Sequence, residues 1–203
     1  MDAIELLKKD HAKVTELFQR FNDGGGLTGT VRRLTGNAAS PRERRSTAER
    51  ICDELDVHAR IEEEVFYPAV RQLHDEELEK QTDEAVDEHG TIKERVKAAR
   101  AALDNDEQLK TRVSSLQECV DHHVREEENE MFPMLEDRMP ESERARIGRT
   151  LAERKRVAAP RARKTTKPAP APRKVAPRRT RKTTAKARGR ARTTKKASSD
   201  RRR

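Results

Sequence analysis

The strongest constraint in this chain is a polar residue standing where an apolar one belongs. Four stretches carry apolar residues at the alternating three- and four-residue spacing of a helix that buries one face. In the first, Ile4, Leu7, Val14, Phe18 and Phe21 line that face and His11 completes the spacing. The second reads Ile51, Leu55, His58, Glu62, Val65, Ala69 and Leu73, and the third Leu78, Thr82, Ala85, His89, Ile92, Val96, Ala99 and Leu103. The fourth reads Leu109, Val113, Leu116, Val120, His123, Glu127, Met131 and Met134. Each seam thus holds one histidine, and two hold a glutamate one turn further on. A buried imidazole without a partner costs about 1–3 kcal/mol, and a buried lone carboxylate costs more. The four seams must therefore meet and satisfy one another.

Helix starts are marked by capping chemistry. Asp2 with Glu5, Ser40-Pro41-Arg42-Glu43, and Asn105 with Gln108 have the form of capping boxes, and the third helix is expected to begin near Asp75. Gly24-Gly25-Gly26 ends the first helix and opens a connection to about Ser40, without the Gly-Lys-Ser/Thr of a phosphate-binding loop. In an up-and-down bundle, residues at equal depth on neighbouring helices lie equally far from the turn that joins them. The midpoint of His58 and His89 is 73.5, beside His74-Asp75, and that of His89 and His123 is 106, within Asn105-Asp106. Three histidines therefore share one layer. The expected fold is all-α, an up-and-down four-helix bundle over residues 1–157. A short fifth helix from Arg144 to Lys155, with Ile147 and Leu151 inward, is expected across one end.

A metal ion satisfies such a layer. His11, His58, Glu62, His89, His123 and Glu127 are the candidate ligands, and the His-x-x-x-Glu spacing puts imidazole and carboxylate on one helix face, one turn apart. Imidazole and carboxylate without thiolate suit iron or manganese, and six protein groups exceed the usual four-coordinate zinc site. One closed ion or two open ones remain alternatives. No acid precedes any histidine by three residues, which removes the Glu-x-x-His pair of ferritin-like bundles, and there is no His-Glu-x-x-His. His74, His122 and the isolated Cys52 and Cys119 read as ordinary side chains.

The chain also repeats itself. His58, Arg60, Glu62, Glu63, Tyr67 and Pro68 align without a gap to His123, Arg125, Glu127, Glu128, Phe132 and Pro133, and Asp10-His11 corresponds to Glu88-His89. These segments, with the leading Asp2-Ala3-Ile4-Glu5-Leu6-Leu7, resemble the hemerythrin-like (HHE cation-binding) family over roughly residues 1–156. The resemblance implies an oxo- or hydroxo-bridged di-iron centre, two irons per chain, and roles in O₂ binding, iron handling, or oxygen, nitric oxide or redox sensing. Oxygen-carrying members have two histidines four apart on the third helix. Here Lys93 follows His89 at that spacing and Ala85 precedes it. The fifth histidine is missing, which argues against O₂ carriage and leaves its place to water or Glu130. An enzyme acting on peroxide or nitric oxide, and a nucleoid-packing protein with a structural bundle, are the alternatives.

Charge divides the chain at residue 158. Residues 158–203 hold 19 Lys and Arg against Asp200, so they carry +18, and the whole-chain +9 leaves −9 for residues 1–157. With Val175 as its one large apolar residue, this stretch cannot bury enough surface to offset the entropy of ordering, and it is expected to be disordered. Its natural partner is DNA or RNA, bound through phosphates without sequence preference. The candidate contacts are Arg173, Lys174, Arg178, Arg179, Arg181, Lys182, Lys186, Arg188, Arg190, Arg192, Lys195 and Lys196. No apolar run is long enough for a membrane span and the N-terminus lacks a secretory signal, so the expected location is the cytoplasm, at the nucleoid.

Overall fold

The computed structural model describes residues 1–23 and 39–158. The connection after the first helix and the basic segment from residue 159 onward, with every candidate nucleic-acid contact, lie outside the described residues. Among the described residues there are helices and no strands: α1 (Ala3–Asp23), α2 (Pro41–Ile61), α3 (Tyr67–Arg71), α4 (Glu76–Ala101), α5 (Asp106–Glu126), α6 (Phe132–Arg138) and α7 (Glu141–Ala158). Two five-residue π-helical turns, Glu62–Phe66 and Glu127–Met131, join α2 to α3 and α5 to α6, so each pair forms one continuous rod. None of these helices is long and apolar enough to cross a membrane.

The caps act as their sequences imply. Ser40 accepts from the Glu43 amide while the Glu43 carboxylate accepts from the Ser40 amide, with Pro41 at the first helical position. Asp75 and Asn105 accept from the amides of Leu78 and Gln108. His74, in the turn before α4, is the one non-glycine with positive φ among the described residues, at 52°. The described residues are therefore all-α, and the last three of the four main rods are joined by tight turns at His74-Asp75 and before Asn105, where the sequence placed them.

The π-turns correct one detail of the seams. A uniform α-helix carries the second seam through Val65, Ala69 and Leu73, yet the fully buried residues are Phe66, Tyr67 and Val70. The fourth seam likewise reaches Phe132 and Leu135 rather than Met134. The cause is one extra residue per turn: the Tyr67 amide bonds the Glu62 carbonyl and the Phe132 amide bonds the Glu127 carbonyl, both five residues back. Pro68 and Pro133 follow at once, and their missing N–H cannot continue the i to i−4 ladder at that point.

The apolar core is in two parts. One gathers Leu7, Ile61, Phe66, Val70, Leu78, Phe132 and Leu135 and the other Phe18, Ile51, Ile92, Val96, Leu109 and Leu116. The histidine layer lies between them in every seam. The fifth long helix, α7, runs from Glu141 to Ala158, longer than expected, and it lies along α1 rather than across an end. Gly148 sits against the backbone of Met1 to Ala3, so close that a β-carbon would come within 2.4 Å of the Met1 carbonyl. Arg144 bonds Asp2 at 2.9 Å, and seven residues after Gly148 the Lys155 ammonium pairs with Asp10. The two helices therefore run in the same direction, with Ile147 and Leu151 buried between them and the bundle.

Candidate metal centre

All six candidate ligands meet in the layer between the two core halves, and each is at most 6% exposed. His11 and His58 face each other with their Nε2 atoms 3.2 Å apart, and His89 and His123 do the same at 3.2 Å. Glu62 Oε2 lies 3.1 Å from His58 Nε2 and 3.3 Å from His89 Nε2. Glu127 Oε2 lies 3.6 Å from His123 Nε2 and 3.3 Å from His11 Nε2. Each glutamate thus spans both histidine pairs. Among the described residues, two buried groups have ligand atoms within 4.8 Å of one another, His11–His58–Glu62–Glu127 and Glu62–His89–His123, sharing Glu62; a third, Glu88–His122–Glu126, lies nearer the surface.

The arrangement has the approximate twofold relation that the internal repeat implies, because the Nε2 and Oε2 distances on one side of the layer each have a counterpart on the other. It also passes a test of fit for a metal. Both oxygens of Glu62 and Oε2 of Glu127 are buried without a hydrogen-bond partner, although imidazole nitrogens lie close by. Buried carboxylate oxygens are rarely left so. The lone pairs converge on common points instead of pairing, which is what cations between them require.

Without a cation, protons must take its place. Burial works against a charged His11, but the carboxylates of Glu127 and Glu128 at its two nitrogens outweigh it and push its pKa up to about 10. Burial, reinforced by the neighbouring imidazoles, holds His58 well below the ordinary histidine value. Burial and the charge of Glu127 raise Glu62 well above the carboxylate range. Glu127 is itself lowered, since His123 and His11 overcome its desolvation.

Around the donors lies a further ring that the sequence reading aligned but gave no role. His11 Nδ1 donates to Glu128 at 2.8 Å, His89 Nδ1 to Glu63 at 3.0 Å and His123 Nδ1 to Glu88 at 2.9 Å. Such carboxylates fix the ring orientation and the tautomer that leaves Nε2 free. The repeated Glu-Glu pairs, 62-63 and 127-128, were the available signal: in each the first acid is buried in the layer and the second, partly exposed, reaches a histidine on another helix. Tyr67 was also missed as a site residue, and its hydroxyl donates to Glu127 Oε1 at 2.9 Å. At the equivalent position Phe132 stacks on His11, 5.9 Å between ring centroids.

Where oxygen carriers have a fifth histidine, Lys93 turns outward to Glu63 at 2.5 Å. Ala85 instead lines a cavity of about 50 Å³ with Glu88, Glu127, Glu130 and Met131. His122 is 58% exposed and sits between Glu88 and Glu126 at 3.2 and 3.1 Å, away from the buried layer.

Comparison with known proteins agrees with this geometry. A protein described as a DNA nickase, from Nostoc sp., is 29% identical over 142 residues, a match covering 68% of this chain and 35% of that relative. The chain therefore spans about a third of the relative's length. No solved structure matches the chain. The family model described as the hemerythrin HHE cation binding domain matches residues 2–135. With most of its bundle inside that match and the two His/Glu groups at its centre, this chain belongs to the hemerythrin HHE cation-binding family.

Proposed function

We propose that this is a non-haem di-iron protein working in iron, oxygen or redox sensing or protection, and that its basic tail tethers it to DNA at the nucleoid. The observation that carries the reading is the convergence of four imidazoles and two glutamates, several with unpartnered atoms, in a layer closed off by apolar residues. In this reading His11, His58, His89, His123, Glu62 and Glu127 would hold the ions, the two histidine pairs lying on opposite sides of the layer and each glutamate lying near both. The donor set is nitrogen and oxygen without sulfur, which suits iron. When bound, such a pair supplies redox chemistry and sites for small molecules such as O₂, nitric oxide or peroxide.

The protein's own residues would govern that chemistry. Glu63, Glu88 and Glu128 keep three imidazoles presenting Nε2 inward. Phe66, Phe132 and the aliphatic side chains on either side exclude bulk water. Tyr67 holds a proton at Oη against Glu127. The cavity beside Ala85 and Glu127 is large enough for water or a diatomic molecule.

The DNA half of the proposal rests on charge. A segment of +18 attached to a bundle of −9 favours a polyanion, and it has no aromatic side chain on which bases could stack. The relative's name, DNA nickase, supports an association with DNA. Nicking itself is not part of the proposal, because a phosphodiester must reach the metal that cleaves it and the six donors here are at most 6% exposed. The test is a titration of duplex DNA with the full chain at several salt concentrations. With about half of the basic side chains on phosphates, the slope of log affinity against log salt should be near about −8, equal for unrelated sequences. Binding indifferent to salt, or none, contradicts the tether.

A further inference from the structure

The ring of outer carboxylates is one member short. Three of the four layer histidines give Nδ1 to a glutamate from another part of the bundle, but His58 Nδ1 is buried with no partner. The twofold relation says where its partner should be. His11 with Glu128 corresponds to His89 with Glu63, and His123 with Glu88 corresponds to His58 with Asp10, since Asp10-His11 matches Glu88-His89 in the repeat. Asp10 is 7% exposed. Its Oδ2 is buried and also has no partner. A buried donor and a buried acceptor, at the two positions that the repeat pairs, are both unsatisfied.

The difference between the halves is one methylene. Glu88 reaches His123, whereas the aspartate is shorter by one carbon–carbon bond, about 1.5 Å. Its second oxygen is held from outside. Lys155 of α7 pairs with Asp10 Oδ1, much as His122 lies 3.2 Å from the second oxygen of Glu88.

We propose that Asp10 is the positioning carboxylate of His58, closing onto Nδ1 when the imidazole is committed to metal, and that Lys155 holds Asp10 there. The last helix is then part of the metal site rather than only a brace. This inference rests on the six donors being a metal centre. It adds that the two metal positions are unequal, because the one at His58 depends on a shorter carboxylate anchored by α7.

The test uses the full chain loaded with Co(II) alone, whose visible spectrum reports ligand geometry, followed by release to an excess of chelator. Asp10→Ala should speed the release of one of the two ions by about 10–100-fold and alter its part of the spectrum, leaving the other ion unchanged. Glu88→Ala should do the same to the other ion. Asp10→Glu should restore slow release, and Lys155→Met should shift release of the same ion as Asp10→Ala, by less. Melting of the metal-free variants separates this from loss of fold. Asp10→Ala with wild-type spectrum and release, or Asp10→Glu as defective as Asp10→Ala, overturns the assignment. A wild-type chain that takes up no cobalt overturns the metal-centre reading itself, a separate failure.

Discussion

The pair of α1 with α2 and the pair of α4 with α5 present the same kinds of donor at similar distances, and differ in what stands behind them. Inward, each gives two histidines 3.2 Å apart and one glutamate from a π-turn. Outward, the first has Asp10, Lys155 and the overlying α7, while the second has Glu88 and His122. Beside the layer, the first contributes Tyr67 and the second Phe132. A metal layer tolerates little change in the atoms that face it, because each unmet donor is a buried polar group. The residues one step removed are free to diverge, and there the two halves have become different.

The largest effect should come from removing a donor on either side. His58→Ala and His123→Ala should each lose most of the bound metal, measured by elemental content after gel filtration. Full occupancy in either variant breaks the equivalence of the two inward faces.

Acid should separate the halves next. His11, in the first, is protonated up to about pH 10 in the metal-free chain, so a cation must displace that proton at neutral pH. Affinity should therefore climb between about pH 6 and 9, roughly tenfold per unit for each proton released, where unperturbed histidines near 6.5 would give a plateau above about pH 7. For the metal-free fold the sign is opposite. A raised histidine pKa contributes stability that is complete below about 6.5 and is lost as pH rises through about 10. Calorimetric titrations in buffers of different ionisation enthalpy count the protons, and a flat profile across that range removes the role given to His11.

Packing effects should be smaller. Gly148→Ala sets a methyl against the Met1 carbonyl and should lift α7 from α1, costing about 2–3 kcal/mol in chemical denaturation. Among the described residues the second half has no such overlying helix, so the loss tests how far α7 supports the first. Tyr67→Phe makes the two halves alike and removes the hydrogen bond to Glu127. It should cost about 1.5 kcal/mol in the metal-free chain while leaving metal stoichiometry unchanged.

Much of this molecule was legible in the sequence because helix periodicity is a local signal. The seams of α4 and α5 run as read from Leu78 to Ala99 and from Leu109 to Glu127, and the turn arithmetic put His58, His89 and His123 at one depth. The readings that slipped share a cause, since none is visible at a spacing of 3.6. The π-turns shift burial from Val65 to Phe66 and Tyr67 through a hydrogen-bond pattern that only the prolines hint at. Glu63, Glu88 and Glu128 were aligned by the repeat but gained no role, because each meets its histidine from a different part of the bundle. The lie of α7 along α1 depends on Gly148 allowing backbone to approach backbone, which a pattern of apolar residues does not encode.

The central claim is that the two helix pairs together hold two iron ions. Anaerobic Fe(II) titration of the full chain, followed by elemental analysis and by the near-ultraviolet charge-transfer absorption that appears on oxidation, tests it most directly. The account expects saturation at two irons per chain, falling sharply when Glu62 and Glu127, the residues shared between the pairs, are both changed to alanine. Saturation at one iron, uptake of none, or two irons retained without those glutamates would contradict it.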